Sequence, residues 1–446
     1  MSRRKKRAAL VVVIIIIVAA VAAAASIILA MTFFSPNNNN DGTRGGPDRN
    51  QTVSTPPGVG INETAGGGGP AQGPVEKTPI SALSSPSALP FVDKWVAQYN
   101  SEKNLGNVKV TYSDRVDDAR IPLLYSNVSS FLADYSADLA IASRPAAAKD
   151  NFTYAGSVFL PVSAQAVAVV YNIPALPDVP SGLRFDPSTL YAVVSGNATY
   201  WDDPRIKSLN PGTSLPHEQI VVVHEGPAAS ASDMLARYLA SSSASNNSSA
   251  IAWPESSLVA DSANSLAAMV RQTPYSIGYV DFAFAVQTRM TYASLQNSDG
   301  QYLMPSADSI GAAVRNGTIV AVNPAMVNGT GSENPSPALV PPPPTVSIGQ
   351  LGNGSYPVVG FYYGVFSDPN AAAPGATANE TALAGRDAAI IDFMQWIVGS
   401  EGQQILQDMQ YPSIYEQNND LKAFADRVLG VKTEGPPASV KQEAPS

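Results

Sequence analysis

The sequence predicts an α/β fold held outside a membrane by one N-terminal transmembrane helix. Three observations predict it. Short apolar, β-branched runs alternate with helix-period stretches between residues 79 and 431; an unbroken apolar run follows a basic cluster at the start; and the segment between the two is dominated by Gly, Pro, Asn and Thr.

The first element is the run from Ala8 to Met31, whose only polar residue is Ser26. About 20 apolar residues suffice to cross the hydrocarbon layer as a helix, whereas a secretory signal has an apolar stretch of about 7–15. Five of the 27 Lys and Arg lie in Arg3–Arg7, and this basic flank predicts a cytoplasmic N-terminus with everything after Phe34 outside. A second processing is open: Arg7-Ala8-Ala9-Leu10 resembles the cleavage site of archaeal pilin-like signals, in which the basic segment is clipped and the apolar helix kept.

Residues 35–78 have no apolar period and predict a disordered linker, because they bury too little surface to offset the entropy of ordering. The tail, 432–446, reads the same way. Between them, strands are expected over Val108–Tyr112, Asp138–Ala142, Ala166–Tyr171, Ile220–Val223, Ser276–Val280 and Pro357–Phe366. Helices are expected over Phe91–Asn100, Ser232–Ser241, Ser262–Thr273 and Arg386–Gln407. This alternation implies helices covering a mainly parallel sheet.

Composition excludes several function classes. There is no Cys, so disulfides, thiolate metal sites and Cys nucleophiles are absent, and two His (217 and 224) leave little for a His-based metal site or a general base. Beyond Arg7 the chain carries 22 basic against 36 acidic residues, with no basic stripe of the kind nucleic acid requires. No cofactor and no enzymatic activity are expected. Asn-x-Ser/Thr occurs at Asn50, Asn62, Asn127, Asn151, Asn197, Asn246, Asn247, Asn316, Asn328, Asn353 and Asn379. Roughly four are expected by chance, so the excess points to a glycosylated, external surface.

A series of segments in register carries a family resemblance. They are Leu89–Asn100 (LPFVDKWVAQYN), Val108–Tyr112, Ala137–Pro145 (ADLAIASRP), Val170–Pro174, Trp201–Pro204, Leu209–Gly212, Leu215-Pro216 and Val270–Val280 (VRQTPYSIGYV), the last continuing through Asp281–Ala285 to Tyr292-Ala293. In order and spacing these resemble the extracytoplasmic phosphate-binding proteins of Pst-type ABC importers. The resemblance implies a two-lobed periplasmic-binding-protein-like fold of type II, with ligand held in the cleft. Lobe 1 is then expected at 79–168 plus 357–431, lobe 2 at 169–312, and a long excursion at 313–356.

The resemblance also implies where ligand would be held. The family segment G-A-T-F-P-A-P falls on Ser84–Pro90, with Thr-Phe at Pro86 and Ser87, so Ser84, Ser85 and Ser87 are the candidate hydroxyls there. The second family contact falls near Asp117. The family Asp of A-S-D falls on Ser143, followed by Arg144. The family's R-x-D-G-S-G-T-S falls on Glu225–Ser232, placing Glu225 at the Arg, Ala229 and Ala231 at hydroxyl positions, and Ser230 and Ser232 where they are expected to cap a helix. The candidate ligand-binding set is therefore Ser84, Ser85, Ser87, Ser143, Arg144, Ser230, Ala231 and Ser232. Arg144 has Glu225 or Asp117 as a rival partner.

Other groups read as structural. His224 near Ser230, Ser232 and Asp233 lacks the G-x-S-x-G turn of a hydrolase. Asp117-Asp118 and Asp202-Asp203 fit solvated turns, and Tyr275, Tyr279, Phe282 and Phe284 fit a core. The expected function is a membrane-anchored, extracytoplasmic solute-binding protein with an eroded oxyanion site, taking phosphate or another small oxyanion and serving an ABC permease in the same membrane. The alternative keeps the scaffold for cell-surface recognition or structure without phosphate binding.

Overall fold

The computed structural model describes residues 78–102, 108–113, 124, 127–143, 157–174, 176, 182–226, 229–241, 251–319, 344–349, 351–367 and 380–430. The expected anchor, the linker up to residue 77 and the tail lie outside the described residues. Among the described residues no helix is long and apolar enough to cross a membrane.

The central feature is a nine-stranded sheet made of two halves with the same strand order. In the first half β2 (Val108–Ser113), β1 (Thr78–Ser84) and β3 (Leu139–Ser143) run parallel, followed by β14 (Val359–Ser367) and β4 (Ser157–Asn172), each antiparallel to its neighbours. In the second half β7 (Leu258–Ala260), β6 (Val221–Glu225) and β8 (Ser276–Asp281) run parallel, followed by β4 and then β9 (Thr291–Tyr292). β4 therefore belongs to both. Its residues 157–166 pair with β14, and 167–172 pair with β8. The chain returns beside it where Val167 N–H donates to the Val358 carbonyl at 3.1 Å.

β4 begins nine residues before the strand expected there. Ser163 and Gln165 interrupt the apolar run, and Pro161 cannot donate to a ladder. The structure accommodates them with a register shift at Tyr362/Tyr363, opposite Ser163 and Pro161. All but the last of its residues are buried. Continuous burial of this kind marks a strand covered on both faces rather than one facing water.

Helix α1 (Leu89–Glu102) buries Phe91, Val92, Trp95, Val96 and Tyr99. The chain's far end returns to the same half as α9 (Glu380–Val398) and α10 (Ser400–Asp408). A single helix over Arg386–Gln407 was expected; the chain breaks at Gly399, which is extended (ψ −179°) and caps α10. The second half is covered by α5 (Ser230–Ala240) and by α6 (Ala263–Gln272), which lies close against β6 and β8. Gly278 permits that approach: a Cβ there would lie 2.9 Å from Val270 Cγ2 and 3.1 Å from the Val223 carbonyl.

Among the described residues four helices of that half have no counterpart among the expected ones: α3 (Pro187–Val194), α4 (Pro204–Leu209), α7 (Phe282–Gln287) and α8 (Ala307–Gly317). The first two begin with Pro after an Asp cap, and α8 opens on a capping box at Ser306/Ser309. Residues 313–317, assigned from sequence to the excursion, instead complete α8. Beyond it β12 (Thr318–Ile319) pairs with β13 (Thr345–Val346).

Candidate functional site

The candidate residues stand at the carboxyl ends of the parallel strands, where ligand crevices of α/β sheets form. β1 ends at Ser84, and Ser84, Ser85 and Ser87 are buried before α1 begins. Ser84 Oγ donates to the Ser85 carbonyl (3.0 Å), while Ser85 Oγ and Ser87 Oγ share a hydrogen bond of 3.3 Å. Ser143 ends β3 and is buried opposite Tyr362 of β14. Arg144 and Asp117 lie outside the described residues.

In the second half the turn after β6 leads into α5. Ser230 and Ser232 were expected to cap this helix, and the structure corrects that assignment. Ala229 is the N-cap and supplies no side-chain hydrogen bond, while both serines lie in the first turn with their hydroxyls turned elsewhere. Ser230 Oγ donates to Gln165 Oε1 (2.9 Å), and Ser232 Oγ lies 2.7 Å from the Tyr279 hydroxyl. That hydroxyl also accepts from Glu225 N–H at 3.0 Å. Ala231 offers only its backbone. Glu225 is buried at the end of β6, so a carboxylate occupies the position where an Arg was implied.

The two turns meet around one phenol. The Ser87 side chain lies close enough to the Tyr362 phenol to favour its charged form. Gln165 Nε2 donates to the same phenol at 3.4 Å, and Gln165 Oε1 accepts from Ser230. Ser85 and Ser87 thus lie beside a buried network that includes Ser230, at least 143 positions further along the chain. Tyr362 continues it by donating to Asp281 Oδ2 at 2.8 Å. Asp281 Oδ1 accepts from the Tyr411 hydroxyl (2.7 Å) and from Ala283 N–H (2.8 Å), the latter as the N-cap of α7 (Phe282–Gln287).

Burial pushes the Asp281 carboxyl up to about 6, and its three hydrogen bonds pull in the opposite direction. The phenols of Tyr362 and Tyr411 are raised far above their usual range, first by burial and then by the neighbouring Asp281 charge. Gln165, Tyr362, Asp281 and Tyr411 were not recognised in sequence as site residues. Asp281 carried a usable signal, a carboxylate closing an apolar strand just before a helix; the two tyrosines sit in apolar surroundings indistinguishable from core.

The remaining groups are structural. His224 does not meet Ser230 or Ser232. Its Nδ1 lies 2.8 Å from the Glu225 carbonyl, its Nε2 lies 3.1 Å from Ser257 Oγ, and its ring stacks on Trp253 at 4.3 Å. Asp203 caps α4, and Asp202 pairs with Lys207 and His217 at the surface. Tyr279, Phe282 and Phe284 are buried in the core, and Tyr275 is packed against it. Among the described residues there is no group of three or more His, Cys, Asp or Glu able to hold a metal ion. Four expected glycan acceptors, Asn127, Asn197, Asn316 and Asn353, are described, and all are exposed.

Residues 63–401 match a family model described as a PBP superfamily domain. The phosphate-binding protein PstS of Methanocaldococcus jannaschii is 29% identical over 252 residues, covering 54% of this chain and 59% of the relative. PstS of Xylella fastidiosa is 30% identical over 244 residues, covering 53% of this chain and 62% of the relative. The matched region thus spans about 60% of the length of these curated relatives. The structure of a high affinity periplasmic phosphate-binding protein (PfluDING) bound with phosphate superposes with a TM-score of 0.51 at 15% identity, covering 78% of this chain and 93% of that one. At that identity the likeness establishes the type II α/β fold alone.

Proposed function

Because the chain belongs to the PBP superfamily, we propose that it is an extracytoplasmic solute-binding protein that captures phosphate or another small oxyanion and delivers it to an ABC permease. Its external body works as two lobes, 79–168 plus 357–431 and 169–312, that close over the ligand. The apolar segment 8–31 holds it to the cell membrane, N-terminus inside, and the linker lets the body range roughly 35–40 Å to meet a permease.

The observation that carries this reading is that Ser87, bonded to Ser85, lies beside Tyr362, whose phenol is joined through Gln165 to Ser230. It brings the turn after β1 and the start of α5 to one place, one from each half of the sheet. Ala229 lends no side chain to the N–H groups of α5, so an anion would receive those donors and the positive end of the helix dipole. Ser85 and Ser87 supply further donors from the other half. With Glu225 and Ser143 in place of Arg and Asp, the site holds a dianion less tightly than its relatives' pattern implies, because a buried acid repels it.

Equilibrium binding of radiolabelled inorganic phosphate to the full-length chain in detergent tests the reading. Saturable binding of one phosphate per chain supports it; no binding up to millimolar phosphate removes phosphate as the ligand.

A further inference from the structure

Asp281 sits where the two halves of the sheet meet. Its backbone pairs with Val167, the first residue of β4 to leave β14 for β8. Its carboxylate, however, is held from outside its own half: Tyr362 belongs to β14 of the first half, and Tyr411 lies between α10 and α11 (Ile414–Gln417). Oδ2 accepts one hydroxyl, while Oδ1 accepts a hydroxyl and the Ala283 N–H. The side chain of Ser87, in the candidate ligand turn, lies beside the same phenol.

We propose that Asp281, clasped by Tyr362 and Tyr411, is a proton-operated clamp at the crossing, whose neutral form favours the closed arrangement of the lobes and whose charged form favours opening. The direction follows from solvation. In the described arrangement, which the clamp takes as the closed one, Asp281 is 1% exposed. Its neighbours are the two tyrosines, the Ala283 N–H and the backbone of β4; among the described residues no Lys, Arg, His or second carboxylate bonds or pairs with it. Parting the halves takes Tyr362 away and admits water, which benefits a carboxylate far more than a neutral acid.

The magnitude is set by the difference between the two environments. A carboxyl titrating near 6 when closed and near 3.8 when hydrated shifts the closed-to-open ratio about tenfold between pH 7.5 and pH 5. The clamp requires that the lobes move, but not that phosphate be the ligand, so it is tested without ligand.

The chain has no Cys, so two cysteines introduced by Lys94→Cys on α1 and Arg271→Cys on α6, both exposed, accept spin labels at two sites only. Inter-label distances are measured by pulsed electron paramagnetic resonance on the full-length chain in detergent, ligand-free, between pH 7.5 and pH 5. Acidification is expected to enrich the shorter distance about tenfold relative to the longer one. Asp281→Asn is expected to keep the short distance at every pH. Tyr362→Phe and Tyr411→Phe each remove a bond that favours the charged form, so the step moves to higher pH. A distance distribution in the parent chain that does not change between pH 7.5 and pH 5 overturns the proposal, as does a step that survives Asp281→Asn or stays in place in both tyrosine variants. The parent titration stands by itself should any variant fail to fold.

Discussion

The indole Nε1 of Trp95 donates to the carbonyl oxygen of Gly402 at 2.7 Å, joining residues 307 positions apart. Trp95 is fully buried and meets Phe91 edge-on, with ring centroids 4.9 Å apart. Tyr99, one turn further along α1, donates to Asp392 Oδ2 at 2.6 Å. The first half of the molecule is thus closed by the end of the chain, and the ligand turn before α1 rests on that closure.

Trp95→Ala removes the ring and leaves the Gly402 carbonyl without this donor. A loss of about 3–5 kcal/mol is expected, as for other large aromatic deletions in a core. Urea denaturation of the full-length chain, read as a shift in midpoint, checks it; a change below about 1 kcal/mol contradicts the packing described.

Tyr279→Phe separates a hydroxyl from its ring. The phenol accepts from Glu225 N–H and bonds Ser232, so its loss leaves a buried N–H unpaired at the end of β6. The expected cost is about 1–3 kcal/mol. Hydrogen exchange at Glu225 is expected to quicken more than exchange in β1, which the substitution does not touch.

Asp281 predicts a pH dependence of folding with a definite sign. Its native value, about 6, lies above the 3.8 of a free carboxyl, so between those values the folded chain binds more protons than the unfolded one. The stabilisation is present in full below about 3.8 and is lost as pH rises through about 6, a difference of roughly 3 kcal/mol. Other carboxyls titrate in the same interval, so the measurement is the difference from Asp281→Asn. Relative to that variant, the parent is expected to lose stability between pH 4 and pH 7.

Glu225→Arg tests the composition of the candidate site. It exchanges a buried carboxylate for the cation that the resemblance implies at this position. Affinity for inorganic phosphate is expected to rise at least about tenfold, a gain of roughly 1.4 kcal/mol. Unchanged or weaker binding by a variant with parental thermal stability places the anion elsewhere.

Six strands and the main covering helices were legible because each has a local signature, whereas β1, which pairs with both β2 and β3, was not among the expected strands. β8 and its partner α6 show strand and helix periods within their own residues, and both were expected within a residue or two of their observed bounds. The broken helix at Gly399 and the early start of β4 were not. In each case the outcome depends on what lies opposite: β14 takes up the register shift beside Pro161, and a polar Gln165 is buried because Ser230 and Tyr362 meet it.

The sequence by itself determined that a cysteine-free, acidic α/β body follows a long apolar segment, and which turns carry the candidate serines. Only the tertiary structure decided that Ser230 is joined through Gln165 to Tyr362 beside Ser87, that Asp281 is held by two distant phenols, and that Ser230 and Ser232 do not cap α5. The reason is physical. Periodicity reports which face of an element avoids water, but a buried polar group must find a partner, and that partner is chosen by whatever element the fold brings alongside.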